Sequence, residues 1–139
     1  MSRTKKILIV ISVLLSVNST PAVLSEAFNV QLVGMASWYA DFSPGILPTT
    51  ANMERFDHNA MTCAIWGIPF DTMIEVTNLE NGKKVIVRTN DRGPAKKLCK
   101  KGRVIDLTMA AFREIEDLDK GLAKVSLRIL EPSGKETRS

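Results

Sequence analysis

The chain has 139 residues, enough for one domain and too few for two of ordinary size. Its 19 Lys and Arg against 15 Asp and Glu give a formal net charge of +4, a weakly basic balance that identifies no partner by itself. A metal site is not expected, because the only histidine is His58 and the two cysteines show no close ligand spacing.

Residues 1–27 have the pattern of a secretory signal peptide: three basic residues, an apolar run over 7–17, and then small residues. That run is shorter than the roughly 20 apolar residues that span a bilayer. We expect cleavage after Ala27, with Ala22 as the alternative site. A buried N-terminal helix or an uncleaved anchor is the competing interpretation.

The mature chain is therefore predicted to be exported, to the periplasm or to the outside of the cell and its wall. No cysteine lies near either cleavage site, so the pattern does not predict a lipoprotein. Loss of residues 1–27 removes three basic residues and one acid, so the formal charge falls from +4 to +2. We expect no stable membrane insertion after cleavage.

Strand periodicity dominates the following residues, 33–131. "VGMASWY" opens this part, and two β-rich runs around the turn residues 80–82 predict a hairpin. The last run, "AKVSLRIL", alternates, with Val125, Leu127 and Ile129 on one face. Several short strands of this kind predict a mainly-β small barrel.

One helix is predicted between Thr108 and Leu118. Thr108 can cap it, and a buried stripe recurs every three residues at Met109, Phe112 and Ile115. Gly121 suits the exit from the helix. The polar tail, residues 132–139, is predicted to be disordered.

Acidic residues near aromatic ones are the first candidates for chemistry. Glu54, Asp57 and His58 occur in sequence among Phe56 and other aromatic side chains. A carboxyl group in apolar surroundings can have its pKa raised, as a general acid requires. The alternative is that Glu54 is an ordinary loop carboxylate.

Cys63 and Cys99 form an even pair, which in an oxidising compartment is a candidate disulfide. Closing a loop of this length would stabilise the fold by about 4 kcal/mol in the chain-entropy model. A basic cluster surrounds Cys99: Lys96, Lys97, Lys100, Lys101 and Arg103. It is interrupted by apolar residues, so no nucleic-acid partner is expected; it is either a solvated loop or a contact for anionic cell-wall polymer.

Four motifs in fixed order resemble one known family. "GMASWYADF", "TANMERFD", "PFDTMIEVTNLENGKKVIVRTNDRGP" and "GRVIDLT" are similar to the RlpA-like (rare lipoprotein A) family. The resemblance spans Gly34 to about Leu130 and implies a six-stranded double-psi β-barrel over 33–131. It also implies an endolytic lytic transglycosylase that acts on peptidoglycan glycan strands, from a family that includes septal enzymes; a monomer is the default expectation.

The resemblance implies two catalytic carboxylates. Glu54 matches the family's acidic residue after Thr-Ala-Asn-Gly, although Met53 stands where glycine is usual. Its implied role is general acid/base, with Asp91 of the Asp-Arg-Gly-Pro turn orienting substrate or stabilising positive charge. The implied reaction cuts the MurNAc-β-1,4-GlcNAc bond without water, gives 1,6-anhydro-MurNAc ends and needs no cofactor.

Further positions are expected to bind substrate. Asp106 lies where related expansin-type barrels use an acid, or it merely ties down a turn; Arg92 either binds substrate or neutralises a neighbouring acid. The complete predicted binding set is Trp38, Tyr39, Asp57, Trp66, Asn90, Arg92 and Asp106.

One departure from the family pattern favours an alternative function. Ile65 occupies the position of the family's active-site histidine, and His58 lies seven residues earlier. Isoleucine cannot exchange a proton. The alternative is therefore a non-catalytic peptidoglycan-binding or expansin-like wall-loosening module, with Trp38, Tyr39 and Trp66 as a sugar-stacking surface.

Overall fold

The computed structural model describes residues 31–130, which form a closed barrel of six strands. The order around the barrel is β1-β5-β2-β4-β3-β6. The predicted mainly-β class and six-stranded barrel are confirmed, whereas the signal-peptide and tail predictions fall outside the described residues. The strands are β1 Leu32–Tyr39, β2 Thr62–Ala64, β3 Met73–Asn78, β4 Lys84–Asp91, β5 Arg103–Thr108 and β6 Leu122–Leu130.

The strands pair in a mixed pattern. β1 pairs in parallel with β5, and β2 in parallel with β4, while the other neighbours are antiparallel. The predicted hairpin is confirmed: β3 and β4 pair from Met73 opposite Arg88 to Thr77 opposite Lys84. Gly82 in its turn has φ 75°, a left-handed conformation that glycine adopts without steric cost.

The barrel interior is filled by the inward side of each strand. Ile74, Val87 and Leu107 are fully buried there. In β6, Val125 and Leu127 are buried as predicted, but Ile129 is 51% exposed. The prediction for Ile129 was wrong because the strand runs to the end of the barrel, where this side chain lines an open cleft.

The helical segments are short. α1 spans Lys96–Cys99, within the segment expected to be a loop, and α2 spans Met109–Arg113. α2 is thus shorter than the predicted helix, and a separate 3₁₀ turn follows at Leu118–Lys120. The predicted cap is present, since the Thr108 hydroxyl accepts a hydrogen bond from the amide of Ala111 at 3.4 Å.

The stripe predicted for this helix is core at two of its three positions. Phe112 and Ile115 are fully buried, whereas Met109 is only partly buried. Gly121 has φ 69° and ends the 3₁₀ turn. In residues 31–130, no helix has the length and apolar character needed to cross a membrane.

Candidate functional site

On the outer face of the barrel, two aspartic acids lie on either side of an alanine. In the strand registers, Asp106 of β5 and Asp91 of β4 both lie opposite Ala64 of β2. Residues opposite one another in neighbouring strands share a face. Ile105 and Leu107 point into the core, so Asp106 points outward. The two acids therefore lie two strand spacings apart, about 10 Å between backbones.

Asp106 is half-buried at the floor of this face. The hydroxyl of Ser37 on β1 donates a hydrogen bond to its Oδ1. Burial raises the pKa of Asp106 above its usual value and Asp91 adds to the rise, whereas Ser37 and Arg103 oppose it. The protonated form is therefore favoured here more than in an ordinary aspartic acid.

Gly93 closes the space around Asp106. A Cβ at this position would lie 3.3 Å from both the Ala64 side chain and Asp106 Oδ2. The following peptide bond, to Pro94, is cis. A larger residue at position 93 would press on the acid, so the Asp-Arg-Gly-Pro turn needs its glycine for close approach.

Asp91 joins the end of β4 to the loop that precedes β2. Its Oδ1 accepts hydrogen bonds from the amides of Arg92 at 2.9 Å and Ala51 at 3.0 Å. Asp91 also lines an open cleft of about 530 Å³ whose wall carries the exposed apolar residues Leu47 and Met53. The other lining residues are Gly45, Ile46, Thr49, Thr50, Ala51 and Arg92.

Tyr39 lies between the two acids and the loop that precedes β2. Its ring stacks on Phe56, with centroids 4.8 Å apart and planes at 20°. Burial and the nearby Asp91 and Asp106 raise the pKa of its hydroxyl, which therefore stays protonated. Within residues 31–130 this hydroxyl is buried and has no hydrogen-bond partner.

Glu54 is ionised, contrary to the expectation of a raised pKa. Arg88 donates to both of its oxygens, at 2.7 Å and 2.9 Å, and Asn90 and Asn52 add bonds at 3.2 Å and 2.9 Å. These hydrogen bonds, above all the one from Arg88, lower the pKa of Glu54 to about 2. Of the two interpretations of Glu54, the raised pKa is therefore contradicted, because Phe56 packs on Tyr39 and leaves Glu54 facing a guanidinium group.

Arg88 also holds a second carboxylate. Its Nη1 lies 2.8 Å from Asp71 Oδ1, so one guanidinium bridges Glu54 and Asp71. The sequence analysis did not single out Arg88. Its signal was the alternation of β4, since buried Val85 and Val87 place Arg88 on the outer face. Within residues 31–130, no group of three His, Cys, Asp or Glu side chains is placed to hold a metal ion.

The predicted aromatic surface is not brought together. Trp38 and Tyr39 are consecutive in β1 and point to opposite sides. The Trp38 indole donates to the Leu118 carbonyl at 3.1 Å and packs against the core. Trp66 alone keeps a largely open ring, 46% exposed, and its indole donates to the Pro94 carbonyl at 2.7 Å. It stands beside the turn that carries Asp91.

The other predicted polar residues fall into different surroundings. Arg92 donates to the Ile65 carbonyl at 3.1 Å, and its guanidinium lies 3.9 Å from the centroid of Phe70. The side-chain amide of Asn90 donates a hydrogen bond to Glu54. Asp57 is exposed, accepts from the amide of Asn59 at 2.9 Å and lines a separate cleft.

Neither residue that concerns the missing histidine turns its side chain toward the two acids, although the amide of Ile65 donates a hydrogen bond to the Asp91 carbonyl at 3.2 Å. Ile65 is 2% exposed and belongs to the core. His58 lies with its Nδ1 3.0 Å from the Asp41 carboxylate and lines the same separate cleft as Asp57. Neither residue supplies a proton-transfer group beside Asp91 and Asp106.

The candidate disulfide between Cys63 and Cys99 is not formed; both cysteines are free. Cys63 points into the core, 3.8 Å from the Thr89 hydroxyl, and burial raises the pKa of its thiol to about 12. Cys99 lies in α1 outside the barrel and donates to the Pro94 carbonyl at 3.5 Å. The strand wall separates the two sulfur atoms.

The strand order and the two parallel pairs define a double-psi β-barrel. The chain belongs to the family described as "Lytic transglycolase", whose model matches residues 31–127. The predicted resemblance to RlpA-like proteins is confirmed.

Curated relatives give the same result. The chain is 42% identical over 122 residues to the probable endolytic peptidoglycan transglycosylase RlpA of Treponema pallidum, covering 81% of this chain and 36% of that protein. It is 47% identical over 98 residues to the protein of the same name from Synechocystis, covering 70% and 29%. The endolytic peptidoglycan transglycosylase RlpA of Pseudomonas aeruginosa is 40% identical over 109 residues, covering 78% and 30%. The chain thus spans about a third of the length of these relatives.

Solved structures share the fold at low sequence identity. Clavibacter michiganensis expansin, as a D78N mutant in complex with cellohexaose, superposes with a TM-score of 0.58 at 20% identity, covering 76% of this chain and 53% of that one. The Streptomyces papain inhibitor gives 0.57 at 22% identity, covering 73% and 96%. These similarities support the barrel fold alone.

Proposed function

We propose that the chain is an exported endolytic lytic transglycosylase that cuts the MurNAc-β-1,4-GlcNAc bond of peptidoglycan and leaves 1,6-anhydro-MurNAc ends. The observation that carries the proposal is the pair of acids on the outer face, with Asp106 half-buried and its pKa raised while Asp91 lies across Ala64. The peptidoglycan transglycosylase names of the relatives support the choice of substrate.

In the proposed reaction Asp106 is the general acid and then the base. Its carboxyl proton passes to the glycosidic oxygen as the bond from that oxygen to the muramyl C1 breaks. The resulting carboxylate takes the proton of the muramyl 6-hydroxyl, whose oxygen forms the new bond to C1. Atoms and charges balance without water, and positive charge develops at C1 in between.

Asp91 completes the proposed site. Its carboxylate, oriented by the amides of Arg92 and Ala51, stabilises the positive charge that develops at C1. The Tyr39 hydroxyl is buried and is assigned no contact with the sugar. We assign Glu54 a structural role in place of the acid role expected from the resemblance, because Arg88 donates to both of its oxygens and lowers its pKa.

The test is product analysis by mass spectrometry. The chain is incubated with peptide-stripped glycan strands, and 1,6-anhydro ends are distinguished from the reducing ends that hydrolysis would give. Anhydro ends from the unmodified chain that disappear in Asp106→Asn support the proposal. Anhydro ends that persist in that variant would assign the acid elsewhere, and reducing ends would replace lyase chemistry with hydrolysis.

A non-catalytic glycan-binding module is the second candidate. The burial of Ile65 favours it, because the family's histidine position offers no proton-transfer group here. Under this reading the acids only hydrogen-bond sugars. Retention of the unmodified chain on insoluble murein, with no soluble product after prolonged incubation, would establish the second candidate over the first.

A further inference from the structure

Met53 carries a side chain where the backbone favours glycine. Its φ is 71°, in the left-handed region that brings the Cβ of an L residue too close to a carbonyl oxygen. It also stands where the RlpA-like pattern has glycine. The residue is 81% exposed, so contacts within residues 31–130 do little to offset the steric cost. Packing in the barrel therefore does not explain why this position holds a long apolar side chain.

Hydrogen bonds hold Met53 in this conformation. The amide of Met53 donates to the Thr50 carbonyl at 3.0 Å, and the amide of Thr50 donates to the Glu54 carbonyl at 2.8 Å. The same turn is fixed to β4, because the amide of Ala51 donates to Asp91 Oδ1 at 3.0 Å. Strained residues that the surrounding contacts fix in this way cluster at active sites and ligand-binding sites. The turn therefore gives Met53 a defined place beside Asp91.

The Met53 side chain lines the same cleft as Asp91. That cleft has a volume of about 530 Å³, and Leu47, which is 71% exposed, also lines it. Single exposed apolar side chains are ordinary on a protein surface, but here two of them share one cleft with a candidate substrate-binding carboxylate. Methionine is flexible and polarisable, so it adapts to the shape of a small apolar group. A ligand that fills this cleft contacts the carboxylate and the apolar wall together.

The proposed substrate carries a small apolar group next to its reacting carbon. In MurNAc the acetamido group is bonded to C2, the neighbour of C1, and ends in a methyl group. We infer that Met53, together with Leu47, binds this acetyl methyl and so positions the muramyl C1 at Asp91. The inference rests on the proposed function, because the role of Asp91 at C1 fixes where the muramyl residue lies in the cleft.

Kinetics on soluble peptide-stripped glycan strands test this contact. In Met53→Gly, KM should rise about fourfold with kcat unchanged, as expected for the loss of one buried methyl contact that is kept from the ground state to the transition state. Met53→Leu keeps an apolar side chain and should keep the KM of the unmodified chain. The matched control is Asp71→Gly, which relieves a second left-handed residue in a different cleft and should also leave KM unchanged.

A second substrate identifies the group that Met53 contacts. Strands that are de-N-acetylated and then N-formylated keep a neutral amide and lack only the methyl. The unmodified chain should show an about fourfold higher KM on these strands, whereas Met53→Gly should not distinguish the two substrates. Equal discrimination by the two chains would overturn the inference. A KM for Met53→Leu as high as that of Met53→Gly would also overturn it, because the effect would then come from the backbone.

Methyl NMR of the unmodified chain covers the case in which a variant does not fold. The chain has six methionines, and carbon-13 labelling gives each methyl group its own signal. The Met53 signal should shift when N-acetylated strands are added, and shift less with N-formylated strands. Met73 is the internal control, because it is 40% exposed and lines a different cleft; its signal should not move.

The two proposals fail in different ways. A Met53 signal that does not move with strands, or moves equally with both kinds of strand, contradicts the inference even if anhydro ends are formed. A Met53 signal that moves only with N-acetylated strands, in a chain that forms no anhydro ends, refutes the proposed function alone. In that case the methyl contact belongs to a glycan-binding module.

Discussion

Two carboxyl groups on the same barrel, those of Glu54 and Asp106, have pKa values shifted in opposite directions. Glu54 and Asp71 share the guanidinium of Arg88, and the pKa of Glu54 falls to about 2. Asp106 forms no salt bridge with a cation of residues 31–130, is half-buried beside Asp91, and its pKa rises. The residue type is nearly the same in both groups. The neighbouring groups decide which carboxyl keeps its proton to higher pH, and so which is the better candidate for an acid.

Replacing Asp106, the acid whose pKa is raised, is expected to have the largest effect. Asp106→Asn should lower the rate of anhydro-end formation by at least about a hundredfold, since a positioned general acid contributes 10² to 10⁴. Product release is followed by chromatography. Asp57→Asn is the matched control, because Asp57 is exposed and lines another cleft; it should keep the parent rate. Equal rates for the two variants would show that Asp106 takes no part in the reaction.

The pH profile of the rate tests the cause of the raised pKa. Activity requires protonated Asp106, so it should fall as pH rises through the pKa of this group. Asp91→Asn removes a neighbouring negative charge and should move that alkaline limb to lower pH. Ser37→Ala removes a bond to the carboxylate and should move the limb to higher pH. Initial rates across pH give both shifts; shifts in the same direction would contradict the assignment.

Glu54→Gln should have a smaller effect, mainly on stability. The pKa of Glu54 is lowered from its ordinary 4.5 to about 2 in the folded chain. The ion pair therefore stabilises the fold above pH 4.5, and this contribution is lost as pH falls through 2. Because both side chains are about a third exposed, the contribution is at most about 1 kcal/mol.

Urea denaturation at several pH values measures this contribution. The free energy of unfolding of the unmodified chain should exceed that of Glu54→Gln near neutral pH and converge on it near pH 2. A difference that stays constant from neutral to acid pH would show that Glu54 is not held ionised by Arg88. A hundredfold loss of activity in Glu54→Gln would return the acid role to Glu54.

Asp71→Gly should have the smallest effect. Asp71 has φ 65°, a left-handed conformation in which glycine is free of the steric cost borne by other residues. The substitution relieves that cost and removes an exposed ion pair with Arg88, two changes of opposite sign. The free energy of unfolding should change by less than about 1 kcal/mol in urea denaturation. A larger loss would make Asp71 a necessary partner of Arg88.

The fold could be predicted from the sequence because its signals are local. Alternation in the β3–β4 hairpin and in β6, and the cap at Thr108, are read from neighbouring residues. The failures lie where geometry decides. Ile129 alternates correctly, but its strand extends to the end of the barrel. The length of α2 depends on packing, and no periodicity marks a four-residue helix such as α1.

The site was less predictable because its contacts are long-range. Asp91 and Asp106 lie on one face only because both of their strands are in register with Ala64. No local pattern determines that register. The pKa of Glu54 depends on Arg88, 34 residues away. The sequence shows two cysteines, but whether they can form a disulfide depends on which way Cys63 points. The strand alternation turns Cys63 inward, away from α1.

The barrel is completed by its last strand. β6 lies between β3 and β1, and β1 pairs with it from Leu32 opposite Leu127 to Ser37 opposite Leu122. During synthesis Ser37 of β1 therefore precedes its partner Asp106 in β5 by 69 residues and its partner Leu122 in β6 by 85 residues. The barrel therefore stays open until nearly all of residues 31–130 has left the ribosome.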